Sequence, residues 1–264
     1  MKFWAMTFFA VLLALGCTIR QSSSLSGKWV DLSYDFSQET IYWPTSDPFV
    51  LDTVFVGITE QGFYYSAYKF CAAEHGGTHI DAPVHFGQGK RPVNEIPLEQ
   101  LMGPAVVIDV SDKALKNRDY LVGVEDFKAW EQAHGRIPDG AMVFLRTGYG
   151  RFWPNREKYM GTAERGPEAV KKLHFPGLAP RAAQWLVENR NIHAVGLDTP
   201  SIDYGQSTNF ETHQILNGHN IPALENVANL DQLPPTGAWV IALPMKIRGG
   251  SGGPVRIIAR LPEA

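Results

Sequence analysis

The strongest constraint on the fold is the alternation of short β-rich runs with helical patterns. Eight runs are rich in β-branched and aromatic residues. They are Trp29–Leu32, Thr53–Ile58, Phe63–Phe70, Ala105–Val110, Ala141–Arg146, Ala194–Leu197, Trp239–Leu243 and Val255–Leu261. Between several of them lie stretches with helical spacing of apolar residues. Strands that alternate with helices predict an α/β fold.

Three segments carry the helical signals. Glu125–His134 has apolar residues three apart and is followed by Gly135, which suits a helix C-terminus. Pro180–Asn189 begins with proline, which is favoured in the first turn, and Phe210–Gly218 is a shorter candidate. The chain also contains 25 glycines and 18 prolines, which favour irregular connections between these elements.

The first 27 residues are predicted to lie outside the folded domain. Residues 1–16 contain one lysine and then an apolar run too short for a bilayer, which requires about 20 residues, so we expect a signal peptide. Residues 17–27 are polar, and Cys17 directly after the expected cleavage point leaves a lipid anchor as an alternative. No linker or repeat interrupts residues 28–264, so one exported domain without a membrane span is expected.

Composition excludes several classes of protein. The chain has 24 basic and 27 acidic residues, a net charge of −3, so no basic excess is present to bind nucleic acid. The only cysteines are Cys17 and Cys71, which excludes a disulfide scaffold and a cysteine zinc site. Cys71 is then a lone thiol, which we expect to be buried.

Four residues with metal-binding side chains lie close together in the sequence: His75, His79, Asp81 and His85. Their odd numbers place them on one face of an extended chain, whereas on a helix Asp81 would point about 240° away from His75. Two adjacent glycines and Pro83 also disfavour a helix. We therefore expect an extended segment with one polar face.

The two glycines have a specific expected role. A straight chain would separate His75 from His79 by about 13 Å, too far for both to contact one ion. Gly76 and Gly77 can adopt the backbone angles of a bend that brings the histidines together. Nitrogen and carboxylate ligands suit Zn²⁺, Mn²⁺ or Fe²⁺, so a divalent metal site is predicted. A polar loop with incidental histidines is the alternative.

The pattern His75-x3-His79-x-Asp81-x3-His85, with Gly77-Thr78 inside it, resembles the signature of the metal-dependent cyclase family. This family includes bacterial kynurenine formamidase and isatin hydrolase. Supporting segments cover most of the chain: Asp31-Leu32-Ser33, Arg146-Thr147-Gly148, residues 198–203, and His213 with Glu225. Leu224–Val227 differs from the Glu-Gly-Leu associated with kynurenine formamidases, which favours the isatin hydrolase branch.

The resemblance assigns roles to individual residues. It implies His75, His79 and Asp81 as metal ligands, His213 and Glu225 as ligands of a second ion, and His85 as the proton donor or acceptor. One or two ions per subunit, Mn²⁺ or Zn²⁺, are implied. The family also implies a swivelling β/β/α fold in a single domain, assembled as a homodimer or larger oligomer.

The resemblance further implies that aromatic side chains from the N-terminal region line the substrate pocket. Phe36 and Trp43, with Tyr34, are the candidates, and ordinary packing is the alternative for each. Arg146, at the end of a predicted strand, faces either the substrate or a structural carboxylate. The glycine run at 249–253 either lets backbone approach the site or forms a turn.

The implied activity is hydrolysis of a small cyclic or aryl amide, as in isatin hydrolase. An arylformamidase acting on N-formylkynurenine is the first alternative, and a secreted, non-catalytic metal- or ligand-binding protein on the same scaffold is the second. A divalent ion lowers the pKa of water from 15.7 toward about 7, which provides hydroxide for attack on the amide carbon. His85, with an ordinary pKa near 6.5, suits transfer of a proton to the leaving nitrogen.

Overall fold

The computed structural model describes residues 27–262. The predicted signal peptide (1–16) and most of the polar segment (17–27) lie outside the described residues, so both stay predictions. Among residues 27–262, no helix is both long and apolar enough to cross a bilayer.

The described chain alternates strands and helices, as the sequence predicts. The strands are β1 (Trp29–Asp31), β2 (Val50–Ile58), β3 (Tyr64–Cys71), β4 (His79–Asp81), β5 (Met102–Asp109), β6 (Leu121–Val122), β7 (Ala141–Arg146), β8 (Gly177–Leu178), β9 (Ile192–Leu197), β10 (Ala223–Glu225), β11 (Trp239–Pro244) and β12 (Gly252–Arg260). The helices are α1 (Ser111–Ala114), α2 (Val124–His134), α3 (Arg156–Met160), α4 (Pro167–Val170), α5 (Pro180–Asn189) and α6 (Glu211–Gly218).

Eight strands form the main sheet, in the order β1–β12–β11–β5–β7–β9–β10–β4. Strand β4 also pairs with β12, so that the sheet closes into a barrel. Strands β5, β7 and β9 are parallel, and their nearly continuous apolar sequences are buried on both faces. This confirms the α/β prediction, and the described residues form a single domain whose strand barrel the sequence did not predict.

Alternate side chains of the central strands contribute to two cores. Met142 and Phe144 of β7 join the cluster that includes Ile80 of β4. Val143 and Leu145 of the same strand pack in a second cluster, which includes side chains of α2, α5 and α6. The period of two along β7 therefore divides its side chains between the two cores.

The expectation that residues 75–86 are extended throughout is wrong beyond Asp81. Strand β4 ends there, and Pro83–His85 form one turn of 3₁₀ helix. Proline presets the backbone angle of the first helical position, and the Gly87 amide donates to the Pro83 carbonyl at 2.9 Å. His85 consequently approaches its neighbours from a turn and not from the strand.

The expectation that Cys71 is buried is also wrong, since this thiol is exposed. Cys71 is the last residue of β3, and β3 pairs only with β2 among the described strands. The two form an antiparallel ribbon separate from the main sheet, and most of its side chains reach solvent.

Candidate active site

The polar cluster begins at a bend that the sequence predicts. Gly77 has φ +57°, and a Cβ atom there would lie 2.8 Å from the ring of Phe36. A Cβ atom on Gly76 would overlap the ring of Tyr42. The bend brings the ring centroids of His75 and His79 to 5.5 Å. In a straight strand, the Cα atoms of the two residues would be about 13 Å apart.

Strand β4 lies between β10 and β12 and presents two ligands on the same side. In the antiparallel register, His79 is opposite Glu225 of β10 and Pro254 of β12. His79 and Asp81 are two residues apart, so both side chains point the same way. Helix α6 supplies His213 to the same place.

The structure brings the five predicted metal ligands and the predicted proton donor together. The Asp81 carboxylate is central, and its Oδ1 lies 2.6 Å from Nδ1 of His75 and 3.3 Å from Nε2 of His79. Its Oδ2 lies 3.2 Å from Nε2 of His213. Glu225 lies 3.5 Å from His79 Nε2 and 3.2 Å from His213 Nε2.

His85 stacks on the ring of His75, with 3.8 Å between centroids and 19° between planes. Two groups of residues each have ligand atoms that lie within 4.8 Å of one another. The first group is His75, His79 and Asp81, and the second is Asp81, His85 and His213. The second group therefore contains His85, where the family resemblance implies Glu225. Glu225 also accepts a hydrogen bond from the Ile202 amide at 2.6 Å.

Hydrogen bonds on the far side of two histidines determine which nitrogen faces the cluster. His79 Nδ1 donates to the Gly77 carbonyl at 3.0 Å, and His213 Nδ1 donates to Asp203 at 2.6 Å. In the neutral rings, each Nε2 then presents a lone pair to the cluster. His79 Nε2 is buried and has no hydrogen-bond partner.

His75 is oriented by a different route. The Ser251 hydroxyl donates to Glu74 at 2.6 Å, and it accepts from Nε2 of His75 at 2.8 Å. This leaves the Nδ1 lone pair directed at Asp81, at 2.6 Å. Ser251 belongs to the glycine run at 249–253, so that run brings backbone and a hydroxyl to the site.

When its histidines are neutral, the cluster therefore consists of acceptors that face acceptors. Three imidazole lone pairs and two carboxylates surround one small buried volume, an arrangement that is unfavourable unless cations occupy it. Nitrogen and oxygen donors in this number suit a divalent transition-metal ion. The residues present thus fit the metal that the sequence predicts.

The charges of the cluster shift the pKa values of its members. Burial lowers the pKa of His79, but the carboxylates of Asp81 and Glu225 outweigh burial and raise it to about 9. Burial acts to raise the pKa of Asp81, but the imidazoles of His79 and His75 hold it well below its usual range. Burial lowers the pKa of His85 to about 4, so this imidazole is neutral near pH 7.

A small cavity of about 220 Å³ opens above the cluster. Its floor carries the histidines and carboxylates, and its apolar wall includes Trp43, Phe86 and Phe210. Phe210 lies 6.2 Å from Trp43 and 5.5 Å from Phe86 between ring centroids. A flat aromatic molecule matches such a wall, with its polar group toward the floor.

The predicted substrate-binding residues have different positions. Trp43 lines the cavity, whereas Phe36 packs beside the bend at Gly77 without lining it. Arg146 does not reach the cluster, because β5 and β7 place it beside Asp109, to which its Nη1 donates at 2.6 Å. The structure therefore agrees with the alternative that Arg146 faces a structural carboxylate and not the substrate.

Sequence reasoning missed several residues of the site: Phe86, Tyr159, Phe210 and Asn226. Phe86 directly follows His85 and Phe210 precedes α6, so their proximity to predicted ligands was the available signal. Asn226 follows the predicted ligand Glu225, and its side-chain amide donates to the Gly77 carbonyl at 2.7 Å. Tyr159 offered no sequence signal, because α3 is distant in the chain.

Comparisons with known proteins identify the family of this chain. The model of the Cyclase family matches residues 30–204. An isatin hydrolase from Roseibium aggregatum is 34% identical over 72% of this chain and 73% of its own length. A kynurenine formamidase from Bacillus cereus is 27% identical over 89% of this chain and 98% of its own length.

A solved structure of isatin hydrolase A from Ralstonia solanacearum superimposes with a TM-score of 0.80 at 35% identity. The match covers 89% of this chain and 92% of that one. Fold and sequence agree across most of the described residues. This chain belongs to the Cyclase family and, like its hydrolase relatives, is an enzyme that cleaves amide C–N bonds.

Proposed function

We propose that this enzyme opens a small cyclic amide of the isatin type with the aid of a divalent ion. The observation that carries the proposal is the acceptor-only cluster on the floor of an aromatic-walled cavity. Similarity to isatin hydrolases, one of them solved with the product analogue thioisatinate, supports the substrate class.

Different residues would bind the ion and transfer the proton. His75, His79 and Asp81 would hold the ion, which when bound supplies Lewis acidity and a water activated near neutral pH. His85 is neutral near pH 7, because burial lowers its pKa to about 4, so it can accept a proton and pass it to the leaving nitrogen. Its stacking on His75 fixes the ring beside the ligands.

The aromatic wall orients the substrate. Trp43 and Phe210 meet edge to face at the cavity, and Phe86 contacts both Phe210 and His213. A bicyclic aromatic amide seated against these rings directs its carbonyl groups to the polar floor. A substrate seated there would displace water from the apolar part of the cavity and so strengthen the electrostatic interactions at the floor.

Arylformamidase activity toward N-formylkynurenine is the second candidate. The kynurenine formamidase relatives, matched over 98% of their length, favour it, and the same ligands and proton acceptor serve both reactions. The segment Leu224–Val227 differs from the Glu-Gly-Leu associated with formamidases, which favours the cyclic amide.

Metal analysis of the purified protein, with turnover assays on isatin and N-formylkynurenine, tests the proposal. We expect bound divalent ion, ring opening of isatin and weaker or no deformylation. Faster deformylation would establish the second candidate. Bound ion with no turnover of either amide would contradict both substrate assignments, and the non-catalytic binding protein has no support from the hydrolase relatives.

The identity and number of the ions are part of the proposal. The nitrogen and carboxylate donors support Mn²⁺ or Zn²⁺. One ion fits His75, His79 and Asp81, and a second fits the group around His213. Elemental analysis by mass spectrometry gives both, and a content above one ion per chain would establish the second site.

Export and self-assembly complete the proposal. The apolar run of residues 1–16 supports cleavage before Cys17, with a lipid on Cys17 as the alternative. The intact mass of the mature chain distinguishes the two, because lipidation adds the mass of its acyl chains. A homodimer or larger homo-oligomer is proposed as the active form.

A further inference from the structure

The glycine run fixes Ser251 beside the first predicted metal ligand. A Cβ atom on Gly252 would lie 2.4 Å from the Ile80 carbonyl oxygen and 2.6 Å from Cε1 of His75. Only glycine therefore allows the chain to approach β4 and His75 this closely. The Ser251 carbonyl also accepts a hydrogen bond from the Ala82 amide at 2.8 Å. Backbone contacts alone thus place the Ser251 hydroxyl next to the His75 ring.

Glu74 determines the direction in which the Ser251 hydroxyl donates. The Oε2 atom of Glu74 accepts from both the amide and the hydroxyl of Ser251, at 3.0 and 2.6 Å. An ionised carboxylate only accepts, so the single hydroxyl proton is committed to Glu74. The Ser251 oxygen then presents a lone pair to Nε2 of His75, which lies 2.8 Å away and must donate. A Cβ atom on Gly250 would lie 2.7 Å from Oε1 of Glu74, so the other flanking glycine leaves room for the carboxylate.

This sequence of hydrogen bonds distinguishes His75 from the other ligand histidines. The proton of its neutral ring is on Nε2, so the lone pair is on Nδ1, which lies 2.6 Å from Asp81. His79 has the opposite arrangement, because its Nδ1 donates to a backbone carbonyl and its Nε2 faces the cluster. Ligand histidines commonly donate their second N–H directly to a carboxylate or a carbonyl, whereas His75 reaches the Glu74 carboxylate through a hydroxyl.

We propose that Glu74 is a positioning residue, which acts through Ser251 to make Nδ1 of His75 the nitrogen that binds the ion. Without the carboxylate, the Ser251 hydroxyl is free to rotate and donate to Nε2 of His75. The proton of the ring would then be on Nδ1, where it blocks the lone pair that the ion requires. This role rests on the metal binding proposed above, in which His75 is a ligand.

The orientation of His75 also affects the predicted proton acceptor. The rings of His75 and His85 stack with 3.8 Å between centroids and 19° between planes. A His75 ring that turns away from Ser251 no longer offers this parallel face to His85. Loss of Glu74 is therefore expected to lower kcat at saturating metal as well as the affinity for the metal, and to leave KM nearly unchanged.

Three substitutions separate the hydrogen bond from charge and packing. Glu74→Gln keeps an oxygen that can accept both bonds from Ser251 but removes the charge, and Glu74→Met keeps the length of the side chain without an acceptor. Competition with a chelator measures metal affinity. We expect affinity within about threefold of the wild type in Glu74→Gln and about tenfold or more below it in Glu74→Met. Ser251→Ala should match Glu74→Met, because it removes the same contact with His75.

Nitrogen-15 NMR of the zinc-loaded protein provides a readout that a purely structural role of Glu74 would not move. Couplings to the ring protons distinguish Nδ1 from Nε2 in each imidazole. In the wild type, we expect His75 to bind zinc through Nδ1, with its proton on Nε2, and His79 to bind through Nε2. In Glu74→Met, the pattern of His75 should be lost while that of His79 remains.

Several results would overturn the proposal. Wild-type affinity in Glu74→Met or Ser251→Ala would do so, and so would equal losses in Glu74→Gln and Glu74→Met, since charge alone would then explain the effect. The NMR measurement on the wild type needs no variant, so it decides the matter even if a variant fails to fold. Zinc bound through Nε2 of His75 would refute this role and leave the proposed hydrolysis standing, whereas a wild type that binds no divalent ion would refute the proposed metal site itself.

Discussion

Asn226 occupies a backbone position that few side chains adopt without strain, with φ +53° in the left-handed region. It is buried, and its side-chain amide donates to the Gly77 carbonyl at 2.7 Å while its Oδ1 accepts from the Tyr159 hydroxyl at 2.9 Å. The same Gly77 carbonyl accepts from His79 Nδ1. Asn226, which also lines the cavity, thus fixes the carbonyl that orients a metal ligand.

Replacing Asn226 with glycine separates this positioning role from backbone strain. Glycine accepts the left-handed conformation, so Asn226→Gly removes the amide without straining the chain. We expect metal affinity to fall about tenfold or more, as for other residues that orient ligands from outside, measured by competition with a chelator. Tyr159→Phe keeps the bond to Gly77 and is the control. Unchanged affinity in Asn226→Gly would refute the role.

Substitution of His79 should impair metal binding, whereas substitution of His85 should impair turnover. His79→Ala removes a ligand from the centre of the cluster and is expected to abolish metal binding. His85→Gln keeps the three ligands His75, His79 and Asp81, so metal content should persist while turnover falls about 10²- to 10⁴-fold. Elemental analysis and an isatin assay on both variants check this. Full activity of metal-free His79→Ala would contradict the assignment of the site.

At the scale of elements, the long strands were predicted, and of the short ones β1 matches the run Trp29–Leu32 and β4 lies in the segment predicted to be extended. The bounds of β7 and α5 match their sequence patterns, and Gly135 follows α2 with φ +88°. Strand β10 was not predicted, because three residues are too few for a periodic pattern and pairing with distant neighbours creates the strand. Side-chain chemistry and spacing predicted the cluster of His75, His79, Asp81 and His85, whereas only the family resemblance implied His213 and Glu225. The register that makes Glu225 face His79 depends on barrel closure.

Asp198 joins two elements through its carboxylate at the end of β9. Its Oδ1 accepts from the amide and the hydroxyl of Thr147 at 2.7 Å each, and its Oδ2 accepts from the Gly148 amide at 2.9 Å. Burial raises the pKa of Asp198, and the donors from the loop after β7 act in the opposite direction. The Asp198 carboxylate therefore holds this loop against the end of β9 through three hydrogen bonds.

Asp198→Asn is expected to destabilise the protein by about 1–3 kcal/mol, because one amide NH₂ must face a backbone donor. Asp109→Asn is the matched control, since Asp109 makes an exposed ion pair with Arg146 and such pairs contribute less than about 1 kcal/mol. Denaturant unfolding of both variants gives the two free energies. Equal losses would show that burial of Asp198 does not determine the effect.

At the scale of the whole molecule, the cluster lies where β4 closes the barrel against β10 and β12. The buried acceptors of this cluster require positive charge nearby, which protons or a metal ion can supply. Burial lowers the pKa of His213, but its bonds to Asp203, Asp81 and Glu225 outweigh burial and raise the pKa well above its usual value. Closure of the barrel and occupation of the site are therefore thermodynamically linked.

Removal of the ion should cost more stability at high pH than at low pH. In the ion-free protein, the pKa of His79 is raised to about 9, from about 6.5 in the unfolded chain. Protonation of His79 therefore stabilises the fold fully below about pH 6.5, and this stabilisation is lost as the pH rises through about 9. The ion acts in the opposite direction, because its histidine ligands must lose their protons before binding. The difference in melting temperature between metal-loaded and chelator-treated protein should therefore widen between about pH 6 and pH 9, as calorimetry at fixed metal concentration can measure. A difference that stays constant or narrows would contradict the linkage between the cluster and barrel closure.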